Sequence, residues 1–267
     1  MILFTSDLDR TLIYSESMMK KYPINDTVMA IEYKEDEIIS FMSQQSMELL
    51  KQFHEKNLFV PVTTRAIYQY ERIVAFQQWI QPKYAIMSNG GTILIDGKPD
   101  AEWSQLIREK ITTTSLPKED MLQLFAEIRN ENWVGKEYYI DELFYMFPVN
   151  RQCIPYQELK GFEKRILKIG WRMFLHGRKL YVLPIQLNKA FAVTHLKNYV
   201  DYDMHIAAGD SLMDYEMLIQ AAIGYSPPHG EIFEKQGLDP KVTWLKEHGA
   251  ASAEELLSHL LAMTMKI

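Results

Sequence analysis

The chain has 267 residues, 47% of them apolar, which is enough to bury one or two hydrophobic cores. A net charge of −6 gives no basic field for nucleic acid, and no apolar run is long enough to cross a bilayer. The single cysteine, Cys153, has no disulfide partner and no Cys or His at metal-site spacing. With no charged-then-apolar leader, a cytoplasmic setting is expected.

Residues 2–6 read as a buried strand that carries Asp7, Asp9 and Thr11 at its carboxyl end. Residues two apart on an extended segment point the same way, so Asp7 and Asp9 are expected to face one site unless a turn intervenes. Two carboxylates about 4 Å apart repel by ~4 kcal/mol at an effective dielectric of ~20, so the pair calls for a cation, a shared proton or a chemical task. A long connection follows, residues 13–43, in which 28–42 is expected as two short strands or a partly exposed flap. Residues 46–55 read as a helix with Met47, Leu49, Leu50 and Phe53 on one face. The apolar run 58–62 reads as a strand ending in Thr63-Thr64-Arg65, and residues 66–79 as a helix stopped before Pro82. The third strand, 84–87, leads into Ser88-Asn89-Gly90-Gly91. Residues 92–99 form a hairpin turning at Asp96-Gly97.

From residue 98 to 184 the pattern changes. Helices are expected at 102–111, 118–129 and 156–168, with strands at 136–140 and 143–147. Residues 171–175 and 179–183 read as a hairpin turning at His176-Gly177-Arg178. Strands grouped with helices indicate an α+β unit. The helix 189–199, opened by Asn188-Lys189, returns the chain to the earlier pattern. The strand 205–208 ends in Gly209-Asp210-Ser211-Leu212-Met213-Asp214 and a helix over 212–221. Short strands at 222–225 and 242–245 and a helix at 253–263 complete the chain. The class is α/β: a Rossmann-like parallel-sheet core over 1–97 and 185–267, with an α+β cap over 98–184 inserted.

D-x-D-x-T alone arises by chance in about one chain in thirty of this length, so it cannot carry a function by itself. Alone, Lys189 reads as a solvated helix residue, and Thr63 or Asp210 as a helix cap. The weight rests on their joint, ordered occurrence at strand ends and helix starts. As a set they resemble the haloacid dehalogenase superfamily, in its phosphatase branch with a large cap between the third strand and the lysine motif. Asp7, Asp9 and Thr11 match the first motif, Thr63 the second, Lys189 the third, and Asp210 with Asp214 the fourth. Ser88–Gly91 resembles the strand-end signature before the cap in Cof-like and sucrose-phosphatase-like members. Arg10 and Thr64 stand where glycine is common, and Met213 where asparagine is.

The resemblance implies a Mg²⁺-dependent phosphatase of a small phosphate monoester, by default a sugar phosphate, working through an aspartyl-phosphate. Asp7 would be the nucleophile. Asp9 would protonate the leaving alcohol and then activate water, and it is expected to be the protonated acid of the pair because paired carboxylates push their pKa values apart. Thr63 and Lys189 complete the catalytic set, as hydrogen-bond donor and point charge. Asp7, the backbone carbonyl of Asp9, Asp210 and Asp214 are expected at Mg²⁺, Asp214 acting through water. Thr11, Thr64, Arg65, Asn89, Gly90 and Arg178 are expected around the substrate. The flap would screen the phosphate from water, and the cap, through its His176–Lys179 turn, would choose the substrate. Three other readings stay open. A phosphomutase would share Asp7 and Asp9. A dehalogenase would need neither Asp9 nor magnesium. A ligand-binding protein of the superfamily would turn over weakly.

Overall fold

Strand Ile2–Ser6 is buried along its whole length in the computed structural model, which describes residues 1–236 and 240–264. It lies between Met204–Ala208 and Leu58–Pro61 in a five-stranded sheet completed by Ile223–Ser226 and Thr243–Trp244, and every pairing is parallel. A parallel bridge from Val62 to Ile86 joins the strand Tyr84–Met87, which also pairs with its own antiparallel hairpin, Thr92–Ile95 and Lys98–Pro99.

Alternation along the first strand builds the two faces of the core. Ile2 and Phe4 join the cluster made with helices Gln44–His54 and Ala250–Thr264. Leu3 points the other way, into the cluster of helices Lys189–Leu196 and Tyr215–Gln220. Helices on both faces leave the carboxyl edge of the sheet open, and Ser6, Pro61 and Ala208 end there in register. Among the described residues no helix is long and apolar enough to cross a membrane.

Above that edge stands an antiparallel sheet in the order Trp171–His176, Lys179–Pro184, Phe144–Pro148, Tyr138–Ile140. Its Tyr145, Phe147, Leu180 and Val182 pack outward on helices Lys118–Ala126 and Tyr156–Leu167. Its Phe144, Tyr181 and Leu183 face the core. Helix Ala101–Thr114 packs with the core cluster through Trp103 and Ile107, so the cap's own apolar cluster begins only at Met121.

The flap is a hairpin, Val28–Lys34 with Glu37–Ser43, bulged between Ala30 and Tyr33. The helix expected over 66–79 is broken into one turn, Ile67–Tyr70, and a wide turn at Ala75–Trp79. Ile73 is drawn out of the helix by a bridge to Glu32 of the flap. The helix expected from residue 212 starts at Tyr215, because Asp214 Oδ2 accepts the amide and hydroxyl of Ser211 at 2.9 and 2.8 Å and folds that segment into a turn. The short helix Glu16–Lys21 had no sequence signature, since it buries no residue.

Candidate active site

Asp7 follows the first strand directly, and its amide donates to Ala208 O at 2.9 Å. Lys189 opens the helix Lys189–Leu196, whose amino end is capped by Asn188. Its ammonium, 1% exposed, donates to Asp7 Oδ1 at 2.5 Å and Asp214 Oδ1 at 2.6 Å. The turn that delivers Asp214 needs Gly209, because a Cβ there would sit 2.4 Å from that of Asp214. Asp210 completes the group. One oxygen from each of Asp7, Asp210 and Asp214 lies within 4.8 Å of the others, and all three side chains are buried. Asp210 Oδ2 accepts no hydrogen bond, although Arg10 Nε lies 3.1 Å away.

This is an acid-rich cluster without enough cation. Burial pushes Asp7 well above the usual carboxylate range, and the charges of Asp214, Asp210 and Asp9 add to that against the opposing pull of Lys189. Burial pushes Asp210 up to about 6, although His176 and Arg10 oppose it. Lys189 moves the other way: burial would lower its pKa, but Asp214 and Asp7 raise it, so it stays charged.

Asp9 departs from expectation. The chain leaves extended geometry after Ser6 and folds into a tight loop, in which Leu12 and Ile13 amides both donate to Leu8 O. The side chain of Asp9 therefore does not join the buried acids. It is half exposed and is gripped by Arg65, Nε to Oδ2 and Nη2 to Oδ1, both at 2.7 Å. Burial works to raise its pKa, but Arg65 outweighs that and holds the carboxyl below its usual range. In the chain alone the raised acid of the pair is Asp7 and the lowered one is Asp9, the reverse of the sequence expectation that Asp9 would be the protonated one.

Arg65 is itself committed. Its Nη1 lies 2.8 Å from Oε2 of Glu32, a flap residue that is 0% exposed. Glu32 also accepts from Ser40 Oγ at 2.6 Å and Arg72 Nη2 at 3.0 Å. The flap thus reaches the active-site acid through one buried relay, which no sequence motif announced.

A cavity of about 440 Å³ lies between cap and core. Asp7, Asp9, Thr64, Arg65, Arg178, Lys189 and Asp210 line it. Thr63 is fully buried behind Thr64, and its hydroxyl accepts the Arg65 amide at 3.2 Å. Thr11 is buried beside the loop, its hydroxyl without a hydrogen-bond partner. Asn89 and Gly90, expected at the substrate, do not line the cavity. They seat the lysine helix instead. Asn89 Nδ2 donates to Leu187 O at 3.0 Å, and Gly90, at φ +95°, packs so closely that a Cβ would lie 2.3 Å from Asn188 O. The glycine common at position 10 also finds its reason, since Arg10 adopts φ +64°. Arg10 is held there by Nη2 donating to His229 O at 2.6 Å, while the His229 ring meets Arg10 O at 2.8 Å.

The cap is tied to the core beside this site. His176 Nδ1 lies 3.1 Å from Glu231 Oε2. Burial would lower the pKa of His176, but the Glu231 hydrogen bond and the charges of Asp210 and Glu231 raise it above its ordinary 6.5. Burial would raise Glu231, but hydrogen bonds from His176 and Lys235 pull it from its ordinary 4.5 to about 2. The contribution of His176 is complete below pH 6.5 and is lost as pH rises through its folded pKa. That of Glu231 is complete above pH 4.5 and is lost as pH falls toward about 2. The difference in Tm between wild type and His176→Gln is therefore expected to peak between these limits and to shrink on the alkaline side. A difference independent of pH would show that the tie carries no charge.

An α/β core with an acid-and-lysine cluster at the carboxyl edge of its sheet, under an α+β cap, defines a haloacid dehalogenase-type phosphoric monoester hydrolase. Residues 1–226 match the family model for sucrose-6F-phosphate phosphohydrolase. The chain belongs to that family. No curated protein sequence matches it. Among solved structures it is similar to the sucrose-phosphatase of Synechocystis sp. PCC6803, solved with sucrose and phosphate, at TM-score 0.66, 14% identity and 97% coverage of both chains. A subclass IIB sugar phosphatase of the superfamily superposes at TM-score 0.64 and 12% identity, covering 97% of this chain and 98% of that one. A Streptococcus mutans UA159 protein does so at 0.64 and 15%, again over 97% and 98%. These likenesses establish the fold.

Proposed function

We propose that the protein hydrolyses a small phosphate monoester in a Mg²⁺-dependent reaction, through an aspartyl-phosphate on Asp7. One observation carries this reading: Asp7 sits at the cavity floor, buried among acids that Lys189 and Arg10 do not fully neutralise. The oxygen-only donor set and Asp210 Oδ2, which accepts no hydrogen bond, suit a small hard cation. Asp7, Asp210 and the backbone carbonyl of Asp9 would hold it, with Asp214 acting through water. When bound, Mg²⁺ supplies the positive charge that keeps Asp7 ionised and lets a phosphate dianion approach.

The chain's own groups supply the rest. Lys189 fixes the carboxylate of Asp7 through Oδ1, leaving Oδ2 to attack phosphorus. Asp214 anchors Lys189 from the other side. Thr64, on the cavity wall, and its fully buried neighbour Thr63 would supply the hydroxyls that donate to the phosphoryl group. Asp9 handles protons. Arg65 holds it ionised before substrate arrives, and the incoming phosphate dianion raises its pKa, as a like charge does. The protonated acid gives its proton to the departing alcohol, and the carboxylate left behind takes one from the water that cleaves the acyl phosphate. A sugar phosphate is the substrate class suggested by the family and by the neighbours' names.

The test is release of p-nitrophenol from p-nitrophenyl phosphate. Turnover is expected with Mg²⁺, lost on complete chelation and restored by adding Mg²⁺ back. Turnover that survives chelation would remove the metal-dependent mechanism.

A further inference from the structure

The charges around the cavity are not evenly spent. Lys189 serves Asp7 and Asp214, Arg10 stands against Asp210, and Arg65 with Arg72 serves Asp9 and Glu32. Two cations on the cap wall have no such use. Arg178 and Lys179 stand side by side at the turn between Trp171–His176 and Lys179–Pro184, both exposed and both lining the cavity. Among the described residues neither side chain makes a hydrogen bond or ion pair, and Lys179 acts on Asp9 only through space. Beside them the cap wall carries apolar Ile140, Phe144 and Met146 and the polar side chains of Tyr181 and His176, and it presents no carboxylate or amide side chain to the cavity.

That chemistry is poor for a neutral polyol. Arg178 and Lys179 donate hydrogen bonds and accept none, and His176 is taken up by Glu231, which leaves the Tyr181 hydroxyl as the acceptor side chain of this wall for hydroxyl protons of a sugar. The same wall is right for an anion attached to a short carbon frame, since charge-assisted hydrogen bonds are about twice as strong as neutral ones. We propose that Arg178 and Lys179 bind a second anionic group of the substrate, so that the ester cleaved carries a carboxylate or a second phosphate besides the scissile one. This rests on the phosphatase reading above and departs from the neutral sugar phosphate that the family's description suggests.

Matched pairs of esters test it. 3-Phosphoglycerate is compared with glycerol 3-phosphate, and fructose 1,6-bisphosphate with fructose 6-phosphate, all with Mg²⁺. In at least one pair the acid-bearing ester is expected to have the higher kcat/KM, by about 10- to 100-fold. The pair that responds tells carboxylate from phosphate. In Arg178→Gln/Lys179→Gln that ratio is expected to fall to near one, and the exposed turn allows the variant to fold, as its Tm would verify. Wild-type ratios of one or below in both pairs, with p-nitrophenyl phosphate still cleaved, would overturn the subsite and leave the phosphatase reading intact. Equal losses on both members of a pair would move the two cations to the scissile phosphate and likewise overturn it. No turnover of any ester, including p-nitrophenyl phosphate, would sink both readings.

Discussion

Asp7→Asn is expected to lower phosphate release by on the order of 10⁴-fold or more while the protein stays folded. The substitution keeps the shape of the side chain, and the amide oxygen can still accept from Lys189, which holds Asp7 Oδ1 at 2.5 Å. It removes the electron pair that attacks phosphorus. It should not weaken the fold. Burial and the neighbouring acids raise the pKa of Asp7, so the folded chain disfavours its ionised form relative to the unfolded chain. An uncharged amide at this position relieves that cost, and Tm is expected to hold or rise in the absence of metal. Single-turnover phosphate release and thermal unfolding decide the matter together. Wild-type rates in the variant would take the nucleophile away from Asp7.

The sheet-edge residues were legible because each stands at a strand end or a helix start, and strand ends follow from apolar runs alone. Asp7, Lys189, Asp210 and Asp214 come together for that reason. Thr63 and Thr64 show where the same logic stops, since which of two adjacent hydroxyls faces the cavity depends on the turn after Pro61. Asn89 and Gly90 were misplaced because a strand-end signature can serve packing as well as binding. Here the glycine lets the chain touch Asn188 and so places Lys189. The environment of Asp9 was illegible. The alternation rule fails once the backbone turns, and the partner that sets its charge, Arg65, depends in turn on a flap residue 33 positions earlier in the chain. Glu32 sits in an acidic run that reads as solvated surface. Only the bulge in the hairpin, with the bridge to Ile73, turns this one acid inward.

That inward turn makes Glu32 the residue outside the catalytic group whose loss should cost most. Its carboxylate is completely buried and spans two guanidinium groups, of Arg65 and Arg72, whose side chains are only 11% and 25% exposed. Removing one partner from such a network leaves uncompensated buried charge, which typically costs about 3–5 kcal/mol. Arg72 retains access to water, so Glu32→Ala is expected toward the lower end, with Tm falling by about 6–12 °C for a chain of this size. The double variant Glu32→Ala/Arg72→Met removes one of the stranded charges and should recover part of the loss. Activity should suffer separately from stability. Without Glu32, Arg65 keeps only Asp9 as an anionic partner and can follow it into the cavity, so the grip that sets the charge and direction of Asp9 loosens. The expected signature is a fall in kcat for p-nitrophenyl phosphate with a displaced pH profile, measured well below the variant's Tm, and with Glu32→Gln closer to wild type in both. A Glu32→Ala protein with unchanged Tm would mean that the flap rests on the core without this ion network. An unchanged pH profile in a destabilised variant would confine Glu32 to holding the flap, with Asp9 set by Arg65 alone.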